Sequence, residues 1–242
     1  MTGFTVAEIR IGRLASLGAA DVLSGIDKQR QFGPVMARLN GLDGDEQGDS
    51  LRHGGPDKAL HAYPMAHYPV WARGLPEREQ RFYPGGFGEN LVIEGATEAD
   101  ICLFDRFRLG DAVIEVSQTR QPCWKLNLRF NVPDMARRVQ DSGRTGWYFR
   151  VVTDGEIAPG DTASLISRPQ PGWPLDRVWD LLYRNMLDRD ALAEFAALPG
   201  LPAGWQRTVQ ARLARNAVED WQPRLETPPD HRSERGQTNA RP

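Results

Sequence analysis

The run Ala112-Val113-Ile114-Glu115-Val116-Ser117-Gln118, continued by Thr119-Arg120-Gln121-Pro122-Cys123-Trp124-Lys125-Leu126, reads as a strand followed at once by one of the chain's two cysteines among cationic side chains. Val and Ile favour the pleated, half-buried surface of a strand. A thiol near Arg120 and Lys125 loses its proton more readily, and the thiolate is the form that attacks electrophiles or binds soft metals. A lone cysteine can equally serve as a small buried hydrophobe. Arg120, Pro122 and Lys125 tilt the reading toward function, because a cysteine needed only for packing has no use for two nearby cations.

Working outward, Thr5 to Ile11, Asn90 to Glu94, Trp147 to Val152 and Ala163 to Ser167 read as further strands, each rich in Val, Ile or aromatics and bounded by turn residues. The fold class expected is therefore mainly β, a barrel or sandwich, interrupted by one helix. That helix has Pro133 at its start, Met135 and Val139 on one face and Gly143 at its C-terminal end. Arg168-Pro169-Gln170-Pro171-Gly172-Trp173-Pro174 then breaks the pattern, since Pro removes backbone donors and restricts the residue before it. Beyond it, Leu175, Val178, Trp179, Leu182 and Met186 recur at helical spacing. Asp190 can cap a second helix through Leu198, and Trp205 to Val218 reads as a third. The expected division is 1–167 as the β domain, 168–174 as a Pro-rich linker, 175–221 as a small three-helix extension and 222–242 as a mobile, polar tail. The Trp and Leu residues of the extension read as core, shaping the pocket or the subunit interface of a homodimer.

With 242 residues, 40% of them hydrophobic, 26% charged and a net charge of −2, the chain can bury a sizeable core. It lacks the basic excess that drives nonspecific nucleic-acid binding, so no direct nucleic-acid contact is expected. No run approaches a membrane span and the N-terminus lacks a signal-like pattern, which leads to a cytoplasmic expectation. Cys102 and Cys123 cannot supply the four thiolates of an ordinary iron–sulfur cluster, so electrons are expected from outside. Asp43-Gly44-Asp45-Glu46-Gln47-Gly48 mimics the start of a calcium loop but has Gly54 where a bidentate Glu belongs. His53, His61 and His67 lack the paired spacing of a zinc motif, and no Gly-x-Ser-x-Gly elbow is present.

Two glycine clusters carry further chemistry. In Arg52-His53-Gly54-Gly55-Pro56-Asp57-Lys58-Ala59-Leu60-His61-Ala62-Tyr63-Pro64, paired glycines allow close backbone approach, and Lys58 with a histidine can supply charge to a phosphate or pterin-type ligand. A solvated Gly-Gly-Pro turn is the alternative. Pro84-Gly85-Gly86-Phe87-Gly88-Glu89-Asn90-Leu91 delivers Glu89 and Asn90 into a strand but fails the dinucleotide fingerprint; a glycine-bulged hairpin is its alternative.

Taken in order, His53 to His61, Phe87 to Leu91 and Gln118 to Leu126 resemble the signature of MOSC-domain proteins, most closely the YiiM group. Asp27-Lys28 and Gly44-Asp45-Glu46-Gln47 are similar to its upstream motif, Gly146-Trp147-Tyr148 precedes its late strand, and the terminal helices resemble its three-helix extension. One departure is Thr119, where Pro would be expected before the Arg. The resemblance implies a MOSC-type β-barrel that holds molybdenum cofactor, with Cys123 as the protein ligand to molybdenum beside the pterin dithiolene. It implies Lys28, His53, Lys58, His61, Arg120 and Lys125 as partners for the cofactor phosphate and pterin edge. Asn90 and Gln118 would orient pterin or substrate, with Glu89 a candidate for proton delivery or else a solvated turn carboxylate. The activity implied is reduction of N-hydroxylated small molecules such as hydroxylaminopurine-type bases, with electrons from a separate flavin-type reductase. Two other functions stay open: a carrier of molybdenum cofactor or of sulfur on Cys123, and pyridoxal phosphate binding through a Schiff base on Lys58 or Lys125.

Overall fold

Strands with one apolar face must bury it against another layer or close on themselves, which also removes their exposed edges. In the computed structural model of the chain, which describes residues 3–17, 22–48 and 54–231, they close. The strands in order are β1 (Gly3–Ile11), β2 (Ala15–Ser16), β3 (Leu23–Ser24), β4 (Gln29–Gln31), β5 (Val35–Arg38) and β6 (Gly41–Leu42), then β7 (Leu60–Pro64), β8 (Leu91–Glu94), β9 (Arg106–Leu109), β10 (Ala112–Thr119), β11 (Trp147–Thr153), β12 (Gly155–Ile157) and β13 (Thr162–Ser167). Seven form the barrel in the circular order β1-β8-β7-β11-β10-β9-β13, with β13 pairing back onto β1. Every pair in the ring is antiparallel except β7 and β8, which run parallel with Ala62 opposite Leu91. Strand β4 extends the far end of β1, while β5, β6 and β12 make a small separate sheet.

The interior follows from period-two alternation. In β11, Trp147, Phe149 and Val151 are buried and Tyr148 and Arg150 between them are only half-buried. The inward residues join Phe4, Val6, Ile93, Phe107, Ile114 and Val116 in one cluster, with Phe4 and Phe107 ring centroids 4.9 Å apart. The sequence reading missed β7 and β9. Leu60–Pro64 is buried at every position, so it shows no alternation, and it lies inside a stretch that reads as a glycine-led ligand loop.

The helices are α1 (His67–Gly74), α2 (Lys125–Phe130), α3 (Met135–Ser142), α4 (Leu175–Tyr183), α5 (Arg189–Ala196), α6 (Ala203–Arg215) and the single turn α7 (Gln222–Leu225). Neither α1 nor α2 was expected. Both are short and pack onto an aromatic cluster of Tyr63, Tyr68, Trp71, Phe82, Phe87 and Phe130 outside the barrel. Gly143 ends α3 in the left-handed conformation at φ 73°, as its position suggested. The cap of α5 is Asp188 rather than Asp190, because Asp188 stands three residues before Ala191 and its Oδ1 accepts that N–H at 3.0 Å. Helix α4 stops at Tyr183, short of Met186, and Asn216 in the left-handed region at φ 50° stops α6 before Val218.

The Pro-rich segment is bound along its length. Leu103 N–H donates to the Trp173 carbonyl at 2.9 Å, Leu175 N–H donates to Ile101, and Arg168 grips the fully buried Asp105. Trp173, Leu175, Val178, Leu182, Phe195, Trp205 and Val209 belong to the same buried cluster as the barrel interior, so the extension and barrel share one core. Within the polar tail, the turn α7 buries Leu225, while Gln222, Pro223, Glu226, Pro229 and Asp230 are exposed, and 232–242 lie outside the described residues. Among the described residues no helix is long and apolar enough to cross a membrane. Because Leu182 is fully buried where the extension meets the barrel, Leu182→Ala should cost about 2–5 kcal/mol in urea unfolding. Barrel and helices should still unfold in one transition by far-UV and near-UV circular dichroism, and two separated transitions would contradict the shared core.

Candidate functional site

Parallel pairing of β7 with β8 requires a long crossover, and the return of that crossover builds one wall of a cleft on the outside of the barrel. The crossover ends in the turn Gly85–Gly88, which the wholly buried Glu89 organises: its carboxylate accepts from Phe87 N–H at 3.0 Å, from Gly85 N–H and from the Tyr68 hydroxyl. Gly88, at φ 77°, is held where a Cβ would come within 2.7 Å of Ile26. The opposite wall is the irregular stretch 120–124, which leaves β10 with Arg120 N–H donating to the Gly146 carbonyl at 3.0 Å and enters α2 with Leu126 N–H donating to Cys123. Gly146, at φ 69°, has no room for a side chain, since a Cβ would meet the Ala62 carbonyl at 2.3 Å and His61 Nε2 at 3.0 Å.

Between these walls lies a space of about 650 Å³, open solvent at its mouth included, a size suited to a small-molecule cofactor or substrate. Cys123, Lys28, Lys58, His61, Asn90, Arg120 and Lys125 all line it, joined by residues the sequence did not single out, among them Tyr148, Asp45 and Gln121. Tyr148 had one readable signal: it alternates with the core residues Trp147 and Phe149 and so faces outward, opposite His61 in the β7–β11 register. Asp45 stands in the Gly44-Asp45-Glu46-Gln47 motif, but its pairing with Lys28 and Asn90 was not readable, because those partners are far away in sequence.

The lining residues divide by what they are bonded to. Asn90 spends its amide on the frame: Nδ2 donates to the Arg10 carbonyl at 3.1 Å and to Asp45 at 2.9 Å, and Oδ1 accepts from His61 N–H at 3.1 Å. Lys28, 7% exposed, pairs with Asp45, 2% exposed, so the two charges largely cancel where they are buried. Arg120 is different. It is 5% exposed, its Nη1 has no hydrogen-bond partner, and among the described residues no carboxylate pairs with it. A buried, uncompensated guanidinium costs several kcal/mol, a penalty that an anion bound in the cleft would offset. His61 is also buried with Nε2 lacking a partner among the described residues. Burial first, and Arg120 second, hold its imidazole well below the usual histidine range, so it is neutral near pH 7. Burial pushes the Tyr148 phenol up; Arg120 pulls it down and Cys123 pushes it up.

Not every expected residue reaches the cleft. Gln118 is buried and does not line it; its Nε2 donates to the Asp57 carbonyl at 3.2 Å, beside Ser117 Oγ at 2.6 Å, and so fixes the turn that carries Lys58. Glu89 is neither a solvated turn carboxylate nor a lining residue, since all its hydrogen bonds go to the glycine turn and Tyr68. Gly54 and Gly55 do not line the cleft, and His53 lies outside the described residues. Cys102 sits apart, packed beneath the Pro-rich segment with its Sγ 3.8 Å from the Pro171 carbonyl, and burial raises its thiol. Among the described residues no three His, Cys, Asp or Glu side chains converge as a metal-binding group. Cys123 offers the cleft one soft donor atom, and Arg120 with the neighbouring lysines offers charge to an anionic group, a set that a metal-bearing anionic cofactor would fit.

Comparison with known proteins agrees with this architecture. Residues 49–164 match the MOSC domain, and residues 173–216 match the YiiM-like three-helix domain. The chain is 38% identical over 202 residues to protein YiiM of Escherichia coli, an alignment covering 84% of this chain and 90% of that one. It is 39% identical over 195 residues to a protein of Gibberella moniliformis named a reductase, of which it matches 34%. The crystal structure of Escherichia coli YiiM superposes with a TM-score of 0.79 at 31% identity, covering 94% of this chain and all of that one. With the MOSC domain, the helical extension and the overall fold all matched, the chain belongs to the YiiM family of MOSC-domain proteins.

Proposed function

We propose that the protein is a molybdenum cofactor-dependent reductase of N-hydroxylated small molecules, hydroxylaminopurine-type bases among them. The observation that carries this reading is the meeting in one cleft of the Cys123 thiol with the buried, partnerless Arg120 Nη1. Membership of the MOSC family and the similarity to a protein named a reductase support it. The net reaction is R–NHOH + 2 e⁻ + 2 H⁺ → R–NH₂ + H₂O, with electrons from a separate flavin-type reductase. When bound, the cofactor would supply a metal able to accept the hydroxyl oxygen while giving up two electrons. The chain's own residues supply the rest. Cys123 offers a thiolate as the protein ligand to the soft metal. Arg120, Lys58 and Lys125 hold the anionic phosphate, where charge-assisted hydrogen bonds are the strong ones. Lys28, Asp45 and Asn90 keep the floor rigid through their mutual bonds. His61, neutral, can donate or accept at Nε2, and Tyr148 keeps its proton as an O–H donor on the same wall.

Protein purified from a host that makes the cofactor should carry about one molybdenum per chain, and Cys123→Ala should lose most of it while remaining folded. Folded wild type without molybdenum under those conditions would sink the proposal. Removing a charge-assisted hydrogen bond worth about 1.5–3 kcal/mol, Arg120→Ala should weaken cofactor retention about 10- to 100-fold, measured by release during dialysis. Arg120→Lys should fall between.

His61 yields a pH test. Its folded-state pKa is lowered, so below the ordinary value of about 6.5 the unfolded chain binds a proton that the folded chain refuses, and stability is lost as pH falls from 7 toward 5.5. Urea unfolding of cofactor-free protein should show this slope, and His61→Gln should flatten it by up to about 1.4 kcal/mol per pH unit. An ordinary histidine titration by NMR in the folded protein would contradict the assignment.

A further inference from the structure

Cys123 lies in a stretch with no regular secondary structure, so something outside β10 and α2 must fix where its thiol points. The neighbours of the cysteine show what does. Arg224 Nη1 donates to the Pro122 carbonyl at 2.5 Å, and Trp124 N–H donates to the Arg224 carbonyl at 2.7 Å. One residue of the C-terminal segment therefore holds the chain on both sides of Cys123. Arg224 is itself placed from α3, because its Nη2 donates to Oε1 of the fully buried Gln140. The contact continues past it: Asn127 Nδ2 donates to the Leu225 carbonyl at 2.9 Å, Leu225 is buried, and His231 stacks on Trp124 with ring planes 10° apart. This segment follows the end of the three-helix match at residue 216.

We infer that residues 221–231 form a strap that positions the Cys123 loop, with Arg224 as its positioning residue. The strap acts through backbone: Arg224 does not line the cleft, and its side chain and carbonyl hold the peptide groups of residues 122 and 124 at a fixed separation. Through it the helical extension, which shares its core with the barrel, sets the geometry of the cleft's only thiol among the described residues. The inference rests on Cys123 being the working thiol of the cleft, but it does not require that the thiol bind a metal.

The test is the rate of alkylation of Cys123 by iodoacetamide in the full-length, cofactor-free protein, followed by mass spectrometry in a Cys102→Ala background, with thermal melts to verify folding. Local release of the loop should make Arg224→Ala react about threefold or more faster than its parent. Arg224→Lys, which can reach only one of the two acceptors, should lie between. Arg177→Ala, which removes contacts elsewhere on the extension, namely an ion pair with Glu194, a hydrogen bond to the Gly172 carbonyl and stacking on Trp173, should react like the parent. A folded Arg224→Ala protein with an unchanged or slower rate would overturn the inference, as would the same acceleration in Arg177→Ala. If Arg224→Ala does not fold, Arg224→Lys decides, and a rate equal to the parent's overturns it. Molybdenum content plays no part in this readout, so failure of the cofactor proposal and failure of the strap are separate results.

Discussion

The side chain of Asn90 is the interaction on which the architecture of the cleft depends. Its amide does the work of a peptide group between strands that cannot pair fully there: it accepts from β7, donates to the carbonyl of β1 and donates to Asp45. The adjacent backbone completes the junction, with Asn90 N–H donating to His61 and Arg10 N–H donating to Asn90. A buried polar group is costly unless every donor and acceptor is matched, and here the matching ties β1, β7, β8 and the Asp45 loop into one unit. Lys28 is placed by the same network through its pairing with Asp45.

Burial then separates two kinds of charge. Lys28, Asp45 and Glu89 have partners inside the protein and serve the frame. Arg120 retains an unused donor in the cleft it shares with Cys123, and His61 is kept neutral first by burial and then by Arg120. This division matters because a preorganised cleft gains binding energy only from groups not already satisfied. It also explains why a cluster of polar residues in a motif need not act alike: Asn90, Glu89 and Gln118 are as buried as Arg120, yet their hydrogen bonds are directed at the chain itself.

The helical extension is more than an appendage. It continues the hydrophobic core of the barrel, Arg150 ties the two by donating to the Gly200 carbonyl at 2.6 Å, and the C-terminal strap returns to the cysteine loop. Distant parts of the chain thereby determine the shape of a loop that is only a few residues long.

Local patterning made much of the fold legible. Alternating Val, Ile and aromatic runs marked β1, β8, β10, β11 and β13 to within a residue or two, helical spacing marked the extension, and Gly143 marked a helix end. The motif residues marked the cleft, since Cys123, Lys28, Lys58, His61, Asn90, Arg120 and Lys125 all line it. The sequence could not show β7, because burial on both faces erases periodicity, nor the contacts of Arg224, Leu225 and His231, which sit in a stretch whose polar composition reads as solvated. It could not show which motif residues face the cleft, because that depends on partners tens of residues away: Asp57 for Gln118, Tyr68 for Glu89, Asp45 for Asn90. Secondary structure follows largely from neighbours along the chain, so the sequence alone determined five of the barrel strands, the helices of the extension and the list of reactive side chains. Which of those side chains remain unpaired, and what holds the cysteine in place, was decided by long-range hydrogen bonds that exist only once the barrel has closed.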